Sequence, residues 1–478
     1  MDGLFQGLRA ELRRKSRPAV GCAGKTKSWM FGESAADAYA RAEGRGAIAA
    51  GAGGPTAAEG CGNPWASGEY SAPVLSREEF ERVAVPFSEA SKRLKDVLDE
   101  NGFAIVTGVV QSEEELRAFE EDFKLDLLDL VDAEALREAP AELRKVYKRF
   151  LDGGPASFPL ASVVGHLTAA AGFVLQRCLA HGRFAWRARR HGNVHAAFRC
   201  LFPGESSQLV TSLDVTFFTP EGQPSTSTNK FSAHVDQNRS DVREGLAECS
   251  IYQGVLYIWP AGPDGLNSTT VVWPGSHRDV WPAMMGDEQL ARYGQAGMHY
   301  SEIQEMCDDT LAQRLAEGWS RHARRVCIPP GALLLWNSRT VHTGWRGGPR
   351  LAQTVCLEPA SRRSPHERLS KLRLAALGLP ATHWASVGMQ HDMSLGSPGV
   401  FNQGVPQPKA PEEGDPSTAV LPLRPALWPA ALAEDADMDA LASLVNVNYR
   451  HVGMWDCPDA SVEQLLEKSV RADFQEYL

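Results

Sequence analysis

The stretch PPGALLLWNSRTVHTGWRGGPRLAQTVCLEP, residues 329–359, decides the fold class. Two prolines and a glycine open it, the apolar run GALLLW follows, a polar segment leads to His342, and a glycine-rich turn precedes a second apolar run, LAQTVCLEP. Apolar runs this short, bounded by Pro and Gly, read as β-strands, because a helix needs a longer amphipathic period. The same rhythm occurs upstream in LVTSLDVTFF (209–218), SIYQGVLYIW (250–259), STTVVW (268–273) and ARRVCIP (323–329). It predicts a β-sandwich or barrel from about residue 208, interrupted by a helical insert over Asp287–His322.

The chain before residue 200 is patterned differently. SREEFERVAVPFSEASKRLKDVLDENG (76–102) has early acidic residues and apolar residues at helical spacing, broken by Pro86 and closed by Gly102. FAIVTGVV (103–110) reads as a strand, and Ser112 with Glu115 has capping-box spacing ahead of Leu116, Phe119 and Phe123. Helical patterns continue to about residue 200. Residues 1–75 are rich in Ala and Gly and form an expected flexible tail. Residues 361–478 are expected to be a helical and Pro-rich extension packing on the core, so the overall class is α+β.

Composition narrows the function. The net charge of −10 opposes nonspecific nucleic-acid binding, which needs a basic surface. Nine scattered cysteines without a C-x-x-C pair are no disulfide framework, and they point to a reducing compartment, the cytoplasm by default. The most membrane-like segment, ASVVGHLTAAAGFVLQRCLA (161–180), contains His166, Gln176 and Arg177 and reads as a buried helix, so no membrane partner is expected.

Chemistry gathers in the strand region. In FSAHVDQNRS (231–240), His234 and Asp236 stand two apart, a spacing that in a strand sends both side chains to one face. His342, about a hundred residues later, can supply a third ligand. Two histidines and one carboxylate form the facial triad that holds Fe(II) in oxygenases and leaves the opposite positions open. His299 and His322 lie in polar surroundings, and His277 in WPGSH reads as a structural hydrogen-bonder. Arg350, at the start of the final strand, is the candidate anchor for a remote carboxylate, with Arg346 in the turn as runner-up. Of Tyr252 and Gln253, adjacent in the strand after the H-x-D, only one can face inward, and Gln253 is favoured. Trp336 reads as barrel packing, and His383 and Trp384 as packing residues of the C-terminal extension.

The succession HVDQ, QG, PGSH, HTG and PR, with ENGFAIVTGVVQSEEELRAF upstream, resembles the Fe(II)- and 2-oxoglutarate-dependent dioxygenases, in particular the phytanoyl-CoA dioxygenase-like branch, over about residues 76–360. The resemblance implies a double-stranded β-helix core of the jelly-roll or cupin-like type. It implies His234, Asp236 and His342 as iron ligands, and Arg350, Gln253 and Tyr252 as cosubstrate contacts. The activity implied is oxygenation by O2, with release of succinate and CO2, of a small organic or lipid-like substrate. Family halogenases carry a small residue in place of the carboxylate, so Asp236 favours hydroxylation. Alternatives are a cupin-like metal-dependent isomerase or hydrolase, which would want a further His or Glu ligand where Gln237 and Asn238 stand, and a non-catalytic binding protein on the same scaffold.

Overall fold

The computed structural model describes residues 72–162, 173–174, 179–205, 208–221, 233–239, 249–262, 264, 266–288, 300–303, 309–362, 407–412 and 414–424. Helix α1 (Arg77–Val83) starts at Ser76, whose hydroxyl accepts from the Glu79 N–H while the Glu79 carboxylate accepts from the Ser76 N–H. Pro86 ends strand β1 (Ala84–Pro86), and α2 (Ala90–Asn101) follows. Gly102 closes α2 at φ 79°, a left-handed conformation that costs glycine little. The chain then runs through β2 (Phe103–Thr107), α3 (Glu113–Leu130), α4 (Ala133–Glu138), α5 (Ala141–Gly153), β3 (Phe173–Val174), α6 (Arg183–Arg190) and α7 (Gly192–Arg199).

The strand-rich half comprises β4 (Leu209–Thr211), β5 (Thr216–Thr219), β6 (His234–Val235), β7 (Tyr252–Tyr257) and β8 (Thr269–Val272). The short helices α8 (Ser276–Asp279) and α9 (Trp281–Met284), then β9 (Ser301–Glu302), α10 (Asp309–His322) and β10 (Arg324–Arg325), lead to β11 (Leu333–Asn337), β12 (His342–Trp345), β13 (Arg350–Val355) and β14 (Leu357–Pro359). These strands form a seven-stranded sheet ordered β1-β2-β11-β7-β13-β5-β3, a five-stranded sheet ordered β10-β8-β12-β6-β9 and a two-stranded pair of β14 with β4. Pairing is antiparallel except for β1 on β2. From β5 to β8, and again from β11 to β13, each successive strand crosses to the other sheet, so residues from both sheets meet between them.

Alternation along each strand separates two apolar layers. Val235 and Val271 join Trp273, Trp281, Met284 and Trp319 in a cluster that includes α9 and α10, whereas Val272 belongs to the main core with Val255 and Leu334. Helix α7 packs tightly against β7: a Cβ on Gly254 would fall 2.8 Å from the Val355 carbonyl oxygen and 3.1 Å from the Phe198 ring.

Several local expectations need correction. Residues 72–75, assigned to a flexible tail, are ordered against β10: Leu75 N–H donates to the Arg325 carbonyl and Arg325 N–H to that of Pro73. The rest of that tail lies outside the described residues, as do His383, Trp384, His299 and most of the C-terminal extension. Its described part contributes Ala419, Leu421 and Leu423 to the main core. At Ser112 only half of the capping box forms, because the Glu115 carboxylate accepts from Gln111 N–H instead. Inside the stretch read as a buried helix, Phe173–Val174 pair with β5 as a strand. Among the described residues no helix is long and apolar enough to cross a membrane.

Candidate metal centre

The LLLW strand, β11, ends at Asn337, short of His342. The chain turns at Ser338–Val341, and His342 opens β12 in the other sheet, directly opposite His234 on β6. Opposed residues of an antiparallel pair project to the same face, and the two imidazole rings lie 4.4 Å apart, centroid to centroid. Asp236, just beyond β6, is anchored by its N–H donating to the Ser338 carbonyl at 2.9 Å. Its Oδ2 lies 3.0 Å from His342 Nε2, and its Oδ1 3.8 Å from His234 Nε2. One ligand-type atom from each residue falls within 4.8 Å of the others. Cis ligands of an octahedral ion at bond lengths of about 2.1 Å are about 3 Å apart, so the cluster is near coordination size.

His342 Nδ1 lies 2.9 Å from the Thr340 carbonyl oxygen, which can only accept, so Nδ1 carries the proton. In the neutral ring, Nε2 then points a lone pair at an acceptor-only carboxylate 3.0 Å away. A metal ion or a second ring proton would relieve that contact, and an Nδ1–H donated to a carbonyl is the usual way a protein orients a metal-binding imidazole. The donor set of two imidazoles and one carboxylate therefore fits a divalent transition metal.

Gln253 supports the carboxylate. Its Nε2 donates to Asp236 Oδ2 at 2.9 Å and to Ser338 Oγ at 3.2 Å. Tyr252, one residue earlier, points to the other face, with its ring 5.7 Å from that of Phe202. Strand parity thus separates the pair, and Tyr252 does not line the space between the sheets. Trp336 is paired with Gln253 across β11 and β7, and its ring centroid is 5.2 Å from that of His342.

Arg350, first residue of β13, is 4% exposed. Its guanidinium lies 3.7 Å from the Phe217 ring centroid and 4.9 Å from that of Tyr257, and Nη2 donates to the Tyr257 hydroxyl at 2.6 Å. That hydroxyl lies 3.2 Å from Thr270 Oγ1 on the smaller sheet, so the Arg350 side chain reaches the space that the triad shares. Burial pulls the guanidinium below its usual range, with the Tyr257 contact opposing. Among the described residues no carboxylate pairs with it, and its Nε has no hydrogen-bond partner. A buried charge is costly unless paired, and among the described residues no carboxylate offsets this one. Arg346 lies half-buried in the turn before β13. His277 bonds the Asp99 carbonyl through Nε2 at 3.0 Å and takes no part in the cluster. Tyr257, Thr270 and Ser338 were not singled out by sequence reasoning, since each matters only through a partner on another strand.

No family model and no curated protein sequence matches the chain. Among solved structures it is similar to EctD from S. alaskensis with 2-oxoglutarate and 5-hydroxyectoine, at 15% identity over 57% of this chain and 77% of that one, TM-score 0.33. It is similar also to the non-heme alpha ketoglutarate dependent epimerase SnoN from nogalamycin biosynthesis, at 14% identity over 57% and 84%, TM-score 0.30. A third is GlcNAc Inducible Gene 2 from Candida albicans, at 10% identity over 82% and 86%, TM-score 0.39. At such identities and TM-scores, the reading of the site stands on its own side chains.

Proposed function

We propose that the chain is an Fe(II)- and 2-oxoglutarate-dependent oxygenase that hydroxylates a small organic or lipid-like substrate. The observation that carries this is the coexistence, between the same two sheets, of a metal-sized His234–Asp236–His342 cluster and a buried Arg350 with no carboxylate partner among the described residues. A metal centre alone would suit the isomerase or hydrolase reading. The unmatched cation asks for an anionic cosubstrate as well. The strand order also supports a double-stranded β-helix, since β5, β13, β7 and β11 face β6, β12, β8 and β10 in the alternation that such a fold requires.

In this reading His234 Nε2, His342 Nε2 and an Asp236 oxygen hold the iron, leaving positions for cosubstrate and O2. The iron, when bound, supplies activation of O2 coupled to oxidative decarboxylation of 2-oxoglutarate to succinate and CO2. Gln253 and Ser338 keep the Asp236 carboxylate turned toward the histidines, and Thr340 fixes the tautomer of His342. Arg350 receives the far carboxylate of 2-oxoglutarate, with the Tyr257 and Thr270 hydroxyls alongside. The Phe217 and Tyr257 rings hold the guanidinium plane in place, so little side-chain entropy is lost when the anion arrives.

Anaerobic titration with Fe(II) and then 2-oxoglutarate tests the proposal. The wild-type protein should develop a visible metal-to-ligand charge-transfer band, and His234→Ala should not. A correctly folded wild type that gives no band would overturn the oxygenase assignment.

A further inference from the structure

One polar group beside the centre has no role in the account above. Trp336 is 5% exposed, and its indole Nε1 has no hydrogen-bond partner among the described residues. A buried N–H left without an acceptor costs roughly 1–3 kcal/mol, so native interiors seldom keep one without a use. The surroundings suggest the use. Register pairs Trp336 with Gln253, so the two side chains are neighbours on the face that carries the Asp236 support. The indole ring also lies 5.2 Å from His342, at an interplanar angle of 53°. Trp336 therefore adjoins the triad from two sides, as a ring against a histidine and as the strand partner of the glutamine that holds the carboxylate. Phenylalanine would supply an aromatic ring at this position with no donor to leave unpaired, at the cost of some volume.

We propose that Trp336 is a further cosubstrate-binding residue, its indole N–H donating a hydrogen bond to a carboxylate oxygen at the keto-acid end of 2-oxoglutarate. This rests on the iron and 2-oxoglutarate reading of the site. It assigns the two ends of the cosubstrate to different strands of the larger sheet: the far carboxylate to Arg350 on β13, the keto-acid end to Trp336 on β11. A donor there is satisfied only when the cosubstrate is bound, so the bond contributes to affinity for 2-oxoglutarate and leaves the affinity for the metal alone untouched.

The test is anaerobic titration of Fe(II)-loaded wild type and Trp336→Phe with 2-oxoglutarate, followed by the charge-transfer band. Trp336→Phe should bind Fe(II) as wild type does, require about tenfold more 2-oxoglutarate for half-saturation, and show a shifted band maximum. Should that variant fail to fold, 3-benzothienylalanine at position 336 replaces the N–H by sulfur at nearly unchanged volume and should show the same tenfold loss. A wild-type band together with unchanged half-saturation in the donor-free protein overturns the role of Trp336 and leaves the oxygenase assignment standing. The absence of a band in wild type overturns both.

Discussion

Two buried guanidinium groups are held in different ways. Arg189, in the helical layer, is 0% exposed and donates to the main-chain carbonyls of Ala180 at 2.6 Å and Asp214 at 2.5 Å. Its charge lies 5.0 Å from the Trp186 ring, and burial pulls its pKa down to about 9. Arg350, on the inner face of the larger sheet, reaches one tyrosine hydroxyl and two aromatic rings. The first arginine donates to two carbonyls of the backbone it joins, its Nε, like that of Arg350, having no partner among the described residues, and removing it would strand those two carbonyls. The second donates to one hydroxyl and is held between two rings, with no main-chain acceptor of its own, and its proposed role as a binding cation rests on that difference.

The strongest test concerns the proposed metal centre. His342→Ala should weaken Fe(II) binding on the order of a thousandfold, read by anaerobic equilibrium dialysis. A loss of tenfold or less would mean that the cluster is a hydrogen-bonded site and not a metal site.

Next come the two arginines themselves. Arg350→Met should weaken 2-oxoglutarate about a hundredfold with iron affinity unchanged, and should leave the free protein equally or more stable by about 1 kcal/mol, because an unmatched buried charge is gone. Arg189→Met should cost about 3 kcal/mol of stability in denaturant unfolding and leave 2-oxoglutarate affinity alone. If both variants destabilise alike, the distinction between them fails.

Smaller effects sharpen the picture. Gln253→Ala should weaken Fe(II) about tenfold, as loss of a group that orients a ligand does. Tyr257→Phe, which removes the hydroxyl beside Arg350, should raise the 2-oxoglutarate requirement about threefold, measured by the same titration.

Much of this was legible in the sequence because strand geometry is simple. A period of two makes His234 and Asp236 neighbours, and a third ligand type near the end of the strand-rich region completes a known donor set. The same parity limited Tyr252 and Gln253 to one inward-facing residue, and the register shows it to be Gln253. What escaped depends on relations between distant strands. NSRTV carries no Gly or Pro to mark the turn that puts His342 into a separate sheet. Thr270 acquires its place from Tyr257 on the opposite sheet. The role proposed for Trp336 rests on an indole N–H without an acceptor among the described residues, which no periodicity can reveal.

The order of the larger sheet has one more implication. Strand β11, with its run of three leucines and Trp336, is flanked by β7 on one side and β2 on the other. β2 in turn carries β1, three residues long and closed by Pro86. The segment preceding the strand-rich half thus caps an adhesive apolar edge and finishes it with a residue that cannot donate to an incoming strand. A protein trimmed to begin at residue 108 would keep every metal-type side chain, yet it would expose β11 along its full length and invite self-association before any question of catalysis arose.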